Sequence, residues 1–373
     1  MNFYRDFFAV PDNEIRIFIL IDGFGMNLFE KLESEYGDAS WFARHFTREM
    51  QSVYPSTTAV ALTCLASLRG PGELGVSGWT TWLPEHKKLV NVLISRNPLA
   101  KYHRGTWDRE IVSQTIQVES AIGHRGVYLV QPFPYIPQEY AAWASGGRQA
   151  QLLGYNAGKD WNNEKNPRHW RRVVSKLCTE MELGSLMYLY LPMVDSQSHI
   201  SGWDSAETFE RLRNIEDDLQ KCIGSLEKQN KHCTIGITAD HGLINIPREQ
   251  QFPVEDATPW MQYLESSMSC ESRNPVFHVI PGQEDSFRKH FSASREGAHF
   301  ELHSPEELAA RGYFGPEGIS ECARPRWGTF IGLAGTGACL RDFCKGHKVP
   351  QFVAYHGGDD PGERRVPLFS FTL

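Results

Sequence analysis

At 373 residues the chain has material for one large domain or two ordinary ones, with a substantial buried core. Hydrophobic residues make up 41% and charged residues 22%, the balance of a soluble globular protein. A net charge of -7 argues against a broad nucleic-acid-binding face, and no apolar stretch approaches a membrane span in length.

The chain opens "MNFYRDFFAVPDNEIRIFILIDG", where the apolar run from Ile15 to Ile21 is interrupted by Arg16 and ends in Asp22. With no basic region ahead of it, this reads as a first core strand and not as a signal peptide. The pattern "MNLFEKLESEY" that follows is helical. In "SVYPSTTAVALT" (52–63), Pro55 and Ser56 form a stop-and-start signal, with Ser56 or Thr57 capping a helix that runs through Leu68. Hydroxyls at a helix start face unpaired N–H groups and the positive end of the dipole, where an anion would sit. Thr57 and Thr58 are therefore candidates both for a cap and for a nucleophile.

From Gly78 to about Lys165 the pattern is ragged and rich in Trp, Tyr, Pro and Gly. We read 79–165 as an insertion capping the site and 247–275 as a second irregular insertion, within one catalytic domain spanning 1–373. Further strands are expected at 126–133, 185–192, 233–240 and 327–335, all near-continuously apolar as in strands covered on both faces. Helical patterns lie between them, notably "PRHWRRVVSKLCTEMEL" and "AETFERLRNIEDDLQKCIGSLEKQN". The alternation predicts an α/β fold with a central, mostly parallel sheet sandwiched by helices.

Eight irregularly spaced cysteines in a chain of this size suggest reduced thiols and a cytoplasmic location. A zinc site at Cys339, Cys344 and His347 is set aside, because the spacing fits no usual ribbon or finger. "GLAGTGACL" (332–340) lacks the full dinucleotide-binding fingerprint and reads as a strand-to-helix turn. Among the aromatics, Trp79, Trp82, Trp107, Tyr155 and Trp161 could line a cap pocket but read more simply as packing residues. Trp203, just past a ligand-rich loop, is expected nearest the site.

Four elements finish in metal-type ligands. The first strand ends in Asp22. "PMVDSQSHISGW" carries Asp195 and His199 four apart, one helical turn. "TADHGL" carries Asp240 and His241, and "VAYHGGDD" carries His356. Open α/β sheets collect ligands at the carboxyl ends of their strands. Three aspartates and three histidines converging there are costly unless cations balance them, and two divalent ions would do so. The mixed nitrogen and oxygen donors suit Zn2+ best, then Mn2+, with Mg2+ least suited.

With these pieces in view, the sequence resembles the alkaline phosphatase superfamily, specifically its nucleotide pyrophosphatase/phosphodiesterase branch. The matching segments are "LIDGFG", "YPSTTA…GPGELGVSGW", "DSQSH", "TADHG" and "HGGDDPGERRVPLF", in the family's order and across nearly the whole chain. The resemblance implies an alkaline-phosphatase-like fold with two zinc ions. Asp22, Asp240 and His241 would hold one ion together with the nucleophile oxygen, and Asp195, His199 and His356 the other. It implies Thr58 as the nucleophile, a register supported by Pro71 and Gly75, and leaves Thr57 as the capping hydroxyl. Ala61 brings no side-chain donor to the helix start, so stabilisation of phosphate oxygens must lean on metals, backbone N–H groups or a donor from elsewhere.

The implied activity is metal-dependent hydrolysis of a phosphodiester or pyrophosphate bond in a small phosphorylated, nucleotide-like substrate, through a phospho-threonine. Phosphomonoester hydrolysis at the same site, or a non-catalytic metal-containing binder of a phosphorylated ligand, are the alternatives. A sulfatase or a cofactor-independent mutase fits poorly, since "PSTTA" supplies no sulfatase-type nucleophile context and such mutases normally have a serine nucleophile and a much larger inserted domain.

Overall fold

The computed structural model describes residues 2–93, 111–112, 115–116, 118–122, 126–132, 151–155, 169–229, 231–255, 257–335, 337–341 and 351–373. The strand Ile15–Ile21 is apolar at every position but Arg16, so it can be covered on both faces and takes the middle of a seven-stranded sheet. It runs parallel to Leu186–Leu191 on one side and to Cys233–Thr238 on the other. The sheet continues through Val127–Pro132 to Gln151–Tyr155, both parallel. On the opposite side Arg365–Thr372 runs antiparallel to Cys233–Thr238 and to the edge strand Phe46–Gln51. This is the expected mixed α/β architecture with a mostly parallel sheet. Neither Phe46–Gln51 nor Arg365–Thr372 stands out in the sequence: the first is a polar edge strand, "FTREMQ", with its side chains largely exposed.

Alternation along the central strand divides the core in two. Ile15, Ile17, Ile19 and Ile21 face a cluster shared with the helices Met26–Tyr36, Trp170–Glu180 and Ala206–Glu227. Phe18 and Leu20 face the other side, against Thr58–Ser67 and the N-terminal helix Asn2–Phe8. The helix Thr58–Ser67 is buried along its whole length, consistent with its small-residue, apolar sequence. Among the described residues, no helix is long and apolar enough to cross a membrane.

A second sheet has six strands in the order Phe300–His303, Phe330–Ala334, Asn274–Phe277, Ser269–Glu271, Thr80–Leu83, Lys88–Asn91, all antiparallel. The segments expected as insertions thus meet here: 80–91 pairs with 269–271. The run 327–335 belongs to this sheet and not to the parallel one. Its apolar content encodes burial, and the burial is supplied by the Trp260, Phe277, Phe287 and Phe291 cluster around Phe330. "GLAGTGACL" connects Phe330–Ala334 to the short strand Cys339–Arg341, so the expected strand-to-helix turn is a strand-to-strand connection.

A buried ion pair ties the second sheet to the segment after His356. Arg273 Nε and Nη2 donate to Glu363 Oε1 and Oε2 at 2.8 and 2.9 Å, and Arg273 Nη1 donates to the Ala338 carbonyl at 2.7 Å. Glu363 Oε1 also accepts the Gly358 N–H at 2.9 Å, and neither side chain is accessible. Bidentate geometry and these extra bonds are what a sealed charge pair requires. Arg273→Ala is expected to cost about 3–5 kcal/mol in denaturant unfolding, because it leaves Glu363 buried and unpaired. Arg365→Ala, which breaks the half-exposed pairs with Glu30 and Glu49, is expected to cost no more than about 1 kcal/mol in the same measurement.

Candidate active site

Because the strands ending at Ile21, Leu191 and Thr238 are parallel neighbours, the residues just past their carboxyl ends emerge together. Asp22 N–H donates to the Leu191 carbonyl at 3.0 Å, and Asp195 N–H donates to the Asp22 carbonyl at 2.9 Å. The turn that allows this is Gly23, at φ +77°. A Cβ at that position would lie 2.8 Å from Asp195 Cα, so only glycine lets the two segments close. Asp195 and His199 share one face of the helix Met193–Ser201, with His199 Nε2 3.3 Å from Asp195 Oδ1.

Each carboxylate has a bare oxygen. Asp22 Oδ2 accepts the Tyr190 hydroxyl, whereas its Oδ1 is buried without a partner. Asp240 Oδ1 accepts the N–H groups of Gly23 and His241 at 3.2 and 3.1 Å, whereas its Oδ2 is buried without a partner. Asp195 Oδ1 is likewise unpartnered. Burial and the charges of Asp240 and Asp195 push the Asp22 carboxyl well above its ordinary range.

The three imidazoles are oriented alike. The Nδ1 of His199 lies 2.8 Å from the Ala354 carbonyl, that of His241 3.1 Å from Gly242 O, and that of His356 3.2 Å from Ser56 O. A carbonyl only accepts, so each Nδ1 carries the proton and each Nε2 offers a lone pair. Those Nε2 atoms meet the carboxylates. His241 Nε2 lies 3.5 Å from Asp22 Oδ1 and 3.6 Å from Asp240 Oδ2, and His356 Nε2 lies 3.8 Å from Asp195 Oδ1. The rings of His241 and His356 stack at 3.8 Å. Burial and the neighbouring imidazoles hold His356 well below its ordinary pKa, in the neutral form.

Two groups of donor atoms result, Asp22/Asp240/His241 and Asp195/His241/His356, each within 4.8 Å, with His199 adjoining the second. Bare carboxylate oxygens facing neutral imidazole lone pairs form a donor set that fits divalent cations, which would remove the repulsion among the aspartates. Thr58 Oγ1 sits beside them, 3.1 Å from His241 Nε2, at the first residue of its helix. The structure therefore brings together Asp22, Thr58, Asp195, His199, Asp240, His241 and His356.

One expectation is corrected. Thr57 occupies the N-cap position, but its hydroxyl makes no capping bond. It donates instead to Glu271 Oε1 at 2.6 Å, a carboxyl oxygen. The same oxygen accepts the Trp79 N–H at 2.6 Å, and burial pushes the Glu271 carboxyl up to about 7.

Glu271 and Tyr190 were not legible as site residues. Glu271 lies in a segment without periodicity, and Tyr190 reads as one more apolar strand residue. Of the aromatics, Trp79 is 40% exposed, while Trp82 is buried in the second sheet's core. Tyr155 is buried and donates its hydroxyl to the Tyr190 carbonyl. Trp203 packs on the main core, and its N–H donates to Asn245. Trp107, Trp161, Cys344 and His347 lie outside the described residues, and Cys339 is a buried strand residue.

The model of the family described as type I phosphodiesterase / nucleotide pyrophosphatase matches residues 16–359. No curated protein matches the chain by sequence. Among solved structures, the chain is similar to murine ectonucleotide pyrophosphatase/phosphodiesterase 5, with a TM-score of 0.64 and 14% identity over 94% of this chain and 87% of that one. An inactive threonine-to-alanine variant of the murine protein in complex with AMP gives a TM-score of 0.64 and 14% identity over 94% and 86%. The human counterpart gives 0.63 and 15% over 95% and 87%.

If Tyr190 fixes which Asp22 oxygen is bare, Tyr190→Phe is expected to weaken divalent-metal affinity about 10–100-fold. Competition with a chromophoric chelator measures this, and the far-UV circular dichroism should not change.

Proposed function

The chain belongs to the type I phosphodiesterase / nucleotide pyrophosphatase family, and on that premise we propose that it hydrolyses a phosphodiester or pyrophosphate bond in a small nucleotide-like substrate, with Thr58 as nucleophile. The coarser conclusion, a hydrolase of phosphoric esters dependent on divalent metal, follows from the family itself. The observation that carries the finer reading is the shared orientation of the three histidines and three carboxylates around Thr58 Oγ1. In this reading Asp22, Asp240 and His241 hold one ion beside Thr58, and Asp195, His199 and His356 hold the second. Zinc suits these nitrogen and oxygen donors better than manganese. Bound there, divalent ions supply Lewis acidity and neutralise charge on phosphoryl oxygens.

The chain's own residues do the rest. Thr58 gives up its proton to solvent, and its Oγ1 bonds to phosphorus as the opposite P–O bond breaks and the leaving group departs as an anion that takes a proton from water. Water then cleaves the phospho-threonine, returning a proton to Thr58 Oγ1 and releasing the phosphorylated product. Because Thr57 does not cap its helix, the first-turn N–H groups and the positive end of the dipole are left to favour the anionic substrate. That role falls to backbone groups because Ala61 has no donor. The murine relative's complex with AMP supports a nucleotide-like substrate.

Zinc-loaded protein is expected to release nitrophenol from bis-nitrophenyl phosphate. Thr58→Ala should lower that turnover by about a thousandfold or more while bound metal per chain stays the same. Turnover undiminished in Thr58→Ala would remove the nucleophile from this scheme. A strong chelator should abolish activity, and added zinc should restore more of it than added manganese, as read by the same assay.

A further inference from the structure

Glu271, the last residue of Ser269–Glu271 in the second sheet, reaches the turn that carries Thr58. One of its oxygens accepts both the hydroxyl of Thr57, adjacent to the nucleophile, and the Trp79 N–H. It is also against the other ligand segment: at Gly357, which follows His356, a Cβ would lie 2.6 Å from Glu271 Cβ. The backbone is distorted to put it there. Cys270 has φ +78°, a conformation costly for any residue but glycine. It is held by bonds from Thr80 Oγ1 to its carbonyl at 3.2 Å and from its Sγ to Ser77 O at 2.7 Å.

A glutamine would accept the same two hydrogen bonds, so what the glutamate adds is charge. Burial pushes its carboxyl up to about 7, against the two donors on one carboxylate oxygen and His241 nearby, so the carboxylate carries its charge above that pH. In the reading proposed above, on which this inference rests, three aspartates and the Thr58 alkoxide balance two divalent ions. Ionised, above about pH 7, Glu271 then leaves the centre one charge negative before substrate arrives. A phosphodiester brings one negative charge at neutral pH and a phosphomonoester brings two.

We propose that Glu271 is a specificity-determining residue that selects singly charged phosphoric esters against doubly charged phosphomonoesters. At an effective dielectric of about 20, one extra unit charge across several ångströms is worth roughly a tenfold discrimination or more.

Nitrophenyl methylphosphonate and nitrophenyl phosphate share a leaving group and differ in charge, so kcat/KM for each, divided by its uncatalysed rate and measured well above pH 7 where Glu271 is ionised, isolates the effect. The wild type should favour the methylphosphonate by about tenfold or more. Glu271→Gln should cut that preference about tenfold and tighten inorganic phosphate binding by a similar factor in calorimetry, whereas Glu271→Asp should keep the wild-type preference. An unchanged preference and phosphate affinity in Glu271→Gln would overturn the proposal. Should that variant not fold, the wild type still decides: no preference for the singly charged ester overturns it, and a tenfold preference kept by Glu271→Asp supports it. Turnover of bis-nitrophenyl phosphate with a flat preference sinks this inference alone. Inertness of all three esters in metal-loaded protein sinks the Thr58 reading and this inference together.

Discussion

Two buried aspartates, Asp22 and Asp240, and a partly buried third, Asp195, set the terms for the rest of this molecule. Asp22, Asp195 and Asp240 stand within reach of one another with a bare oxygen each, and no apolar interior tolerates that without compensating positive charge. The parallel sheet creates the problem by placing the carboxyl ends of three adjacent strands side by side. The histidines indicate how it is solved. Each has its Nδ1 proton tied to a backbone carbonyl and its Nε2 turned inward, an arrangement that serves a cation and offers the carboxylates no proton of its own.

The second sheet completes the centre from outside the α/β core. Arg273 grips Glu363, whose carboxylate receives the Gly358 N–H two residues past His356. Glu271, two residues before Arg273, reaches the turn that carries Thr58. A short stretch of one antiparallel strand pair thus braces both the turn that carries Thr58 and the segment that carries His356. Such bracing suits a reaction whose catalysis rests on positioning and charge, where small displacements of a nucleophile are expensive.

The mistaken expectations share a cause. Thr57 has the right residue type and dihedral angles for a cap, yet its hydroxyl turns to a carboxylate that arrives from more than 200 positions away. The strand at 327–335 has the right composition for the parallel sheet, yet its partners are Asn274–Phe277 and Phe300–His303. In both places local chemistry offered several partners of similar worth, and long-range packing chose among them.

What the amino-acid order determined by itself was everything with a short-range signature. Apolar strands that end in Asp22 and Asp240, the one-turn spacing of Asp195 and His199, and a helix start at Thr57 or Thr58 are all local patterns, and they sufficed for the α/β class and for singling out most of the side chains that the fold brings together. Tertiary structure alone decided which oxygen of each carboxylate is bare, which nitrogen of each histidine faces inward, and that Glu271 joins the turn that carries Thr58. Those depend on hydrogen bonds between residues far apart in the chain, and a partner's identity leaves no periodicity or spacing to read.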